Sequence, residues 1–379
     1  MSIITIVHTD IKLKGKIMEK TLKNYVTNNV IYTNQFAVIT FIVMVAFKIS
    51  MLPSYMYETI GRDSWIVIGI LMIVEAAMFF ITLFISKRIN LLADDSKWLY
   101  PIHALIYAYT MIRLTVLYSG LITYTSTSLF DQGRIDFIII AFAIVITYIV
   151  SKGGNTIARM FEMIFYFLLA ILLVMVLTPS FKWDLSELTP IFGGKNQNIL
   201  GGFTDYSVWF GDYIPLLYFT VKKHKNKVLE KGSVPVAVFT AVVGVVLFYV
   251  AFIAVYGEAG NLVHFAFNRM SVFNTISELL GATNFLSILV WMIMSLLQII
   301  LMFLTASNAL MCIIKNKTIA IIFNVLFISA VEWFWVKQLE NAHNFAIGYV
   351  KYFTLACQFI LPIAMLIYTI VKSKEKEKA

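Results

Sequence analysis

Two interrupted apolar stretches decide the fold: FAVITFIVMVAFKISMLPSYMYETI at residues 36–60 and FTDYSVWFGDYIPLLYFTV at residues 203–221. A helix crosses a bilayer with about 20 mostly apolar residues, so the first stretch is long enough and the second nearly so. A charged residue, a small residue and a proline break each run: Lys48, Ser50 and Pro53 in the first, and Asp212, Gly211 and Pro215 in the second. Backbone freed by such breaks is tolerated at membrane depth only where it lines a cavity walled by protein. The two stretches therefore predict two broken transmembrane helices.

The composition of the whole chain fits a membrane protein. Of the 379 residues, 60% are hydrophobic and only 13% are charged, against about 45–50% and about 25% in ordinary soluble domains. So few charged residues could not cover the surface of a soluble protein of this size. Soluble enzymes, nucleic-acid-binding proteins and secreted disulfide scaffolds are thus disfavoured. Cys312 and Cys357 lie inside apolar segments, so the sequence supports neither a disulfide nor a metal site, and no cofactor is expected.

Hydropathy predicts an all-α membrane protein with about ten transmembrane helices. The apolar segments lie at 35–57, 64–85, 100–127, 135–151, 157–177, 203–221, 232–256, 284–313, 318–336 and 345–371. They form one permease-like domain over residues 31–371, between an N-terminal tail at 1–30 and a C-terminal tail at 372–379. The Lys-rich lead after Met18 leaves Met1 and Met18 as alternative translation starts.

The distribution of basic residues predicts the orientation. When alternate connections are assigned to the two sides of the membrane, twenty of the 30 Lys and Arg residues fall on one side and six on the other. By the positive-inside rule, the side with twenty is cytoplasmic, and it includes both termini. The net charge of +9 is thereby explained by topology, without nucleic acid.

Charged residues inside the predicted spans are the main candidates for function, because burial of a charge in the bilayer is costly. They are Lys48, Glu75, Arg113, Glu162 and Asp212. Lys48 and Glu75 lie about halfway along adjacent antiparallel helices, so an ion pair is geometrically possible. It would be either a structural lock or part of a ligand contact. Arg159 and Glu162, spaced i, i+3 near one end of helix 5, are expected to anchor helix packing.

Breaks at corresponding positions of two halves indicate a transporter-type substrate site. We expect backbone groups at Ile49, Ser50 and Met51, next to Lys48, to hold a carboxylate or another polar head. Phe210, Gly211, Asp212 and Tyr213 form the facing wall in this hypothesis, with Tyr109 or Tyr118 closing the side. Asp212 would receive an amino group, act as a proton-sensitive latch or cap the broken half-helix.

The connection at residues 258–281 is predicted to be external and mildly amphipathic. Apolar residues recur there at roughly helical spacing: Phe265, Phe267, Met270, Phe273 and Ile276. Two interpretations are open, a lid over the outer vestibule and a passive interfacial helix.

Several short motifs, in order along the chain, are typical of one family. They are Gln35 and Phe36, then Leu52 and Pro53, then Gly61, Asp63 and Trp65, then Ile157, Ala158, Arg159 and Glu162, then Asp184, Leu185, Leu188, Pro190 and Gly193, and finally the stretch 269–291. Together they resemble the GerAB-type spore germination permeases, over nearly the whole chain from about residue 30. That family belongs to the amino acid–polyamine–organocation superfamily.

The resemblance implies a LeuT-like fold of two inverted five-helix repeats, about 35–177 and 203–371, with helices 1 and 6 broken. It also implies the membrane subunit of a nutrient-germinant receptor, in the inner membrane of a bacterial spore. The implied companions are a receptor A subunit and a lipoprotein C subunit, and the implied ligand is a small nutrient such as an amino acid. The alternative is an amino-acid or ion-coupled secondary transporter of the same fold, since a fold does not fix a function.

Overall fold

The computed structural model of the protein describes residues 29–94, 96–130, 135–177, 183–191, 198–222, 227–272, 283–336 and 339–378. The predicted tail up to residue 28, and Phe273 and Ile276, lie outside these ranges. The α-helices are α1 Thr33–Val45, α2 Leu52–Ile60, α3 Ser64–Ser86, α4 Leu99–Leu129, α5 Ile135–Lys152, α6 Gly154–Leu177, α7 Ile199–Asp205, α8 Lys227–Tyr256, α9 Ala266–Val272, α10 Thr283–Ile314, α11 Lys317–Val331, α12 Leu339–Phe345 and α13 Lys351–Lys378. The described chain is thus mostly helical, as the hydropathy predicted.

Eight helical segments of the described chain are long and apolar enough to cross a membrane. They are 52–86, 99–129, 135–152, 154–173, 232–262, 285–314, 317–334 and 351–374. α4 and α10 are the most buried of them and pack against each other along their lengths. Many large apolar side chains on the outer helices are exposed, such as Phe239 on α8 and Tyr166 on α6. Such a surface is stable only in lipid, so the protein is an integral membrane protein.

The first predicted break is present in the structure. α1 ends at Val45, residues 46–51 form turns, and α2 begins at Leu52 with Pro53 in its first turn. Pro is well placed there, because the first N–H groups of a helix have no partner within the helix. The charged and polar residues of the break, Lys48 and Ser50, lie in the non-helical turns.

The second interrupted region differs from the single broken helix predicted for 203–221. α7 ends at Asp205, and short 3₁₀ turns follow at Ser207–Trp209 and Ile214–Tyr218. Between them, residues 210–213 are not helical, and Gly211 has φ +86°. The region is buried among other helices, so side chains of the neighbouring helices rather than its own helical ladder hold its backbone.

A short β-ladder, which the sequence did not predict, joins the segment before the first interrupted region to the end of the second. β1 (Val30–Tyr32) precedes α1, β2 (Thr220–Lys222) follows the second region, and the two pair in parallel with Ile31 opposite Val221. The ladder lies at the end of the molecule where α3 ends, because the Ser86 hydroxyl donates to the carbonyl of Leu216, just before β2, at 3.0 Å. The basic loop 87–98, of which residues 87–94 and 96–98 are described, follows α3 here, and we call this end the basic end. The ladder ties the two interrupted regions together at this end.

At the opposite end, the connection after α8 closes over the first break. The backbone N–H of Ala266, at the start of α9, donates to the carbonyl of Ser50 at 2.7 Å, and the Ser54 hydroxyl donates to the carbonyl of Val263. Phe267 and Met270 are buried, and the Phe265 ring meets Tyr124 edge-on at 4.8 Å. The segment that contains Val263 and Ala266 therefore packs directly on the break, and its two interpretations, a lid and a passive helix, stay predictions.

Candidate functional site

Four charged side chains meet between the two interrupted regions, and we call them the charge cluster: Lys48, Glu75, Arg113 and Asp212. Each is at most 2% exposed. Lys48 Nζ lies 2.9 Å from Glu75 Oε2 and also pairs with Asp212 Oδ2. Arg113 Nη2 donates to Asp212 Oδ1 at 2.6 Å. The ion pair between Lys48 and Glu75 that the sequence made possible is therefore present. It belongs to a larger group of two cations and two carboxylates that has no net charge.

The cluster is attached to the second break through the backbone as well as through Asp212. Glu75 Oε1 accepts hydrogen bonds from the backbone N–H groups of Gly211, at 3.0 Å, and Asp212, at 3.1 Å. One carboxylate of α3 thus partners both the Lys48 ammonium and the unwound backbone. Buried N–H groups need partners, so Glu75 stabilises the break and fixes its position relative to Lys48.

Two glutamines that the sequence reasoning missed complete the site. Gln298 of α10 donates from Nε2 to Asp212 Oδ1 at 2.7 Å. The side-chain amide of Gln358 on α13 donates to the carbonyl of Phe210 at 3.0 Å, and the backbone carbonyl of Gln358 accepts from the Tyr213 hydroxyl at 2.7 Å. Each amide interrupts an apolar stretch of its helix. That was the available signal, because polar side chains inside spans commonly face the bundle interior.

Gly211 allows the backbone to approach α4 closely. A Cβ atom at this position would lie 2.1 Å from the Tyr109 hydroxyl oxygen and 2.9 Å from Gln358 Cγ. The positive φ is also unfavourable for residues that carry a Cβ. The Tyr109 hydroxyl instead donates to the neighbouring carbonyl of Phe210 at 2.9 Å. The backbone at Gly211 therefore approaches α4 and α13 too closely for a side chain to fit.

The backbone of the first break is largely satisfied within the protein, which differs from the predicted carboxylate site. Ile49 N–H donates to Val45 and Met51 N–H donates to Phe47, so these two groups are used inside the break. The indole of Trp291 donates to the carbonyl of Ala46 at 2.9 Å. The hydroxyl of Ser50 is buried and has no hydrogen-bond partner among the described residues. Of the three predicted backbone positions, Ser50 thus presents an unpaired polar group through its side chain.

The two tyrosines proposed for the side wall lie on opposite sides of α4. Tyr109 faces the cluster, with Arg113 Cζ 5.9 Å from its ring centroid, as expected for positions i and i+4 on one helix face. Tyr118 is nine residues further on, which is half a turn out of phase at 3.6 residues per turn. Its hydroxyl donates to the carbonyl of Ile139 on α5 at 3.1 Å. The structure therefore brings Tyr109, and not Tyr118, to the site.

The remaining predicted residues fall into two groups. Phe210 and Tyr213 are at the site: the Lys48 ammonium lies 5.2 Å from the Phe210 ring centroid, and Tyr213 meets Phe79 edge-on. Arg159 and Glu162 are exposed on α6, away from the cluster. Glu162 accepts a hydrogen bond from the Gln35 amide of α1 at 3.1 Å, a contact between two helices.

Aromatic rings cover the cluster on the side of the opposite end. The His343 ring of α12 stacks on Tyr55 of α2, with centroids 3.9 Å apart, and it also stacks on Tyr206. Trp209 lies beside both His343 and Phe47, the residue before Lys48. These rings and the segment at Val263 and Ala266 lie between the cluster and the opposite end.

The cluster has polar groups left for a ligand. Besides the Ser50 hydroxyl, the Nε and Nη1 of Arg113 and the Oε1 of Gln298 are buried without hydrogen-bond partners in the described part of the chain. An unpaired buried group costs about 1–3 kcal/mol, more if it is charged. The site thus combines two cations, two carboxylates and unused donors and acceptors, a set that suits a small polar ligand with both an acidic and a basic group.

The fold defines a class. Over 90% of the chain, the structure matches Mhp1, a nucleobase-cation-symport-1 family transporter solved in a closed conformation with bromovinylhydantoin bound. The match covers 78% of that chain at 14% sequence identity, with a TM-score of 0.56. Such a likeness establishes the fold alone: the protein has the LeuT-like transporter fold that the sequence analysis predicted, while the ten-helix layout in two repeats stays a prediction.

The family is established by sequence. Residues 30–342 match the spore germination protein family of permeases, and the chain belongs to that family. A search of curated proteins gives no match. The resemblance to spore germination permeases in the sequence analysis is thereby confirmed.

Proposed function

We propose that the protein is the membrane subunit of a nutrient-germinant receptor in the inner membrane of a bacterial spore, and that it binds a small nutrient, an amino acid, at the charge cluster. The observation that carries the proposal is the meeting of two cations and two carboxylates at the two helix breaks. Family membership supports the spore context. In transporter folds, ionisable groups at such breaks usually mark the ligand path.

An amino acid matches the charge cluster because it carries one carboxylate and one ammonium group. Lys48 and Arg113 are the groups that would receive the carboxylate, and Asp212 or Glu75 the ammonium. The ligand would replace some of the ion pairs that the four side chains now form with one another. Because a zwitterion has no net charge, the site would stay electroneutral. Leaving any one of these buried charges without a partner would be costly. A ligand with only one charge would upset this balance, which favours zwitterions.

Partner exchange also supplies a way to signal. In the structure, Asp212 of the second break forms ion pairs with Lys48 of the first break and with Arg113 of α4. A ligand that takes over these contacts would release the two breaks from each other. Because a ligand shifts a conformational equilibrium only by its different affinity for the two states, the loosened arrangement must bind it more tightly. That change is what the receptor subunit would transmit.

The receptor A subunit and the lipoprotein C subunit are the partners that we propose for this role, as the resemblance to the family implies. The orientation proposed is the one with both termini in the cytoplasm, since twenty of the 30 Lys and Arg residues are predicted to lie on that side. The described part of this end includes the loop 87–98, which carries Lys87, Arg88 and Lys97.

The experiment is a germination assay on spores that carry Gly211→Leu. A side chain at this position would collide with Tyr109 and Gln358, so the response to nutrient is expected to be abolished while the protein still reaches the membrane. The matched control is Gly244→Leu on α8, where a Cβ meets nothing within 4 Å. Substitutions at Ser50 or Tyr213 should shift the effective concentration or the preferred nutrient without abolishing every response.

Dose curves against a panel of nutrients, with protein level checked by blot, give the readout. Unchanged curves for both Gly211→Leu and Tyr213→Ala would place the ligand elsewhere, most reasonably on a partner subunit. The proposal would then fail for this chain.

The alternative function is secondary transport of an amino acid, alone or coupled to an ion, and the LeuT-like fold favours it. Uptake of radiolabelled amino acid into proteoliposomes that contain this chain alone would support transport. Nutrient binding without uptake would support the receptor.

A further inference from the structure

A groove at the basic end has no part in the proposed function. It lies between the loop 87–98 and the last turns of α13, on both sides of an ion pair between Asp94 and Lys372. Two cavities, of about 540 Å³ and about 680 Å³, share these two residues. They are therefore two parts of one groove, which the Asp94–Lys372 pair crosses.

The two parts of the groove differ in chemistry. The first is lined by polar groups that include Arg88, Asn90 and Ser373. The second is lined mainly by apolar side chains, among them Trp98 and Ile367, which are 82% and 57% exposed. Trp is typical of the membrane–water interface. A polar site beside an apolar channel at this depth matches a molecule with a polar head and an acyl chain.

The charge of the groove selects the kind of head. Asp94 is balanced by Lys372 and accepts a hydrogen bond from the Tyr368 hydroxyl at 2.8 Å. The Arg88 guanidinium lies 3.7 Å from the Phe84 ring centroid, and Arg88 is exposed. The charged residues that line the polar part are Arg88, Lys372 and Asp94, so the groove carries a net positive charge.

We infer that this groove is a binding site for an anionic phospholipid of the leaflet at the basic end. Arg88 contacts the phosphate, with Lys372 beside it, Ser373 and Asn90 contact the polar head, and one acyl chain lies along Trp98 and Ile367. A zwitterionic lipid lacks the net charge to compensate these cations, and free phosphate lacks the acyl chain. Basic pockets between helices on the cytoplasmic side of membrane proteins commonly take such lipids.

The test measures lipid retention by the purified chain in detergent, by native mass spectrometry, with added phosphatidylglycerol or phosphatidylcholine. Phosphatidylglycerol should bind at least tenfold more tightly than phosphatidylcholine. The variant Arg88→Gln should lower phosphatidylglycerol binding at least tenfold, and Trp98→Ala should weaken it as well. Lys152→Gln is the matched control, since Lys152 is an exposed cation on α5, in contact with a tyrosine ring.

The results separate a specific site from its alternatives. Equal binding of the two lipids, or no effect of Arg88→Gln, would overturn the inference. An equal loss in Lys152→Gln would reduce it to general attraction between a basic surface and anionic lipid. If inorganic phosphate displaced the lipid at a similar concentration, the acyl chain would contribute nothing to binding, and the apolar part of the groove would not be its site. A groove covered instead by a protein partner would show no preference among lipids.

Discussion

Removing the ammonium group of Lys48 alone leaves two carboxylates and a single cation in the charge cluster. Lys48→Met takes away the partner that Glu75 holds at 2.9 Å and one of the partners of Asp212. Removing one member of a buried pair typically costs about 3–5 kcal/mol. For a large domain, about 1 kcal/mol corresponds to roughly 2–4 °C in the midpoint of thermal unfolding. We therefore expect the midpoint of Lys48→Met to fall by at least about 6 °C.

Adding Glu75→Gln to Lys48→Met should restore most of the loss. The remaining pair, Arg113 with Asp212 at 2.6 Å, is electroneutral. The side-chain carbonyl of a glutamine can still accept the two backbone N–H groups of residues 211 and 212 that Glu75 Oε1 now accepts. Replacing a buried ion pair by neutral groups of similar volume is often close to neutral in stability, so the double variant should be more stable than Lys48→Met.

The mismatched double variant, Glu75→Gln with Asp212→Asn, serves as the control. It removes the same number of charges but leaves Lys48 and Arg113 as two buried cations, and it should be at least as unstable as the worse single variant. Thermal unfolding in detergent, followed by tryptophan fluorescence, compares the wild-type chain, the single variants Lys48→Met, Glu75→Gln and Asp212→Asn, and the two double variants. If the double variant of Lys48 and Glu75 were as unstable as the worse of its single variants, the pairing would be excluded as an energetic unit.

Three further predictions concern other parts of the protein. Trp291→Phe should lower the unfolding midpoint by at least about 2 °C, because the buried carbonyl of Ala46 loses its donor at a cost of about 1–3 kcal/mol. An unchanged midpoint would mean that water replaces the indole. Partial burial of Asp94 raises the pKa of its carboxyl group, but hydrogen bonds from Lys372 and Tyr368 outweigh this effect and hold the pKa below its usual value. The stabilisation that Asp94 gives is then fully present above pH 4 and lost as the pH falls through that lowered pKa. Asp94→Asn should therefore lower the midpoint at pH 7, and this difference from the wild-type chain should shrink as the pH falls below 4. In sealed cells, a cysteine at Arg269 should react with an impermeant reagent added outside and one at Lys374 should not; the reverse would refute the orientation.

The positions of both breaks could be predicted because their signals are local. A lysine, a serine and a proline within a few residues of each other ended α1 and started α2, where the structure has turns at 46–51. Gly211 and Asp212 gave the same signal in the second region. The Lys48–Glu75 pair followed from the depth of each residue along two adjacent helices.

The rest of the site depended on helix rotation, which one sequence does not reveal. Arg113 was evident as a buried charge, but its contact with Asp212 required knowing which face of α4 turns to the second break. The same uncertainty left Tyr109 and Tyr118 as equal alternatives and hid Gln298. Nor could hydropathy distinguish the 3₁₀ turns of the second region from a helix, since both are apolar and buried.

The site is tested most directly by titrating the purified chain with amino acids in a calorimeter, beside the electroneutral double variant Lys48→Met with Glu75→Gln. This variant keeps the net charge of the cluster but has lost one group for the carboxylate of the ligand and one for its ammonium. The account predicts that at least one amino acid saturates the wild-type chain and binds the double variant at least tenfold more weakly, while the unfolding midpoints of the two proteins stay similar. Unchanged affinity in the double variant, or no binding by the wild-type chain across the standard amino acids, would contradict it.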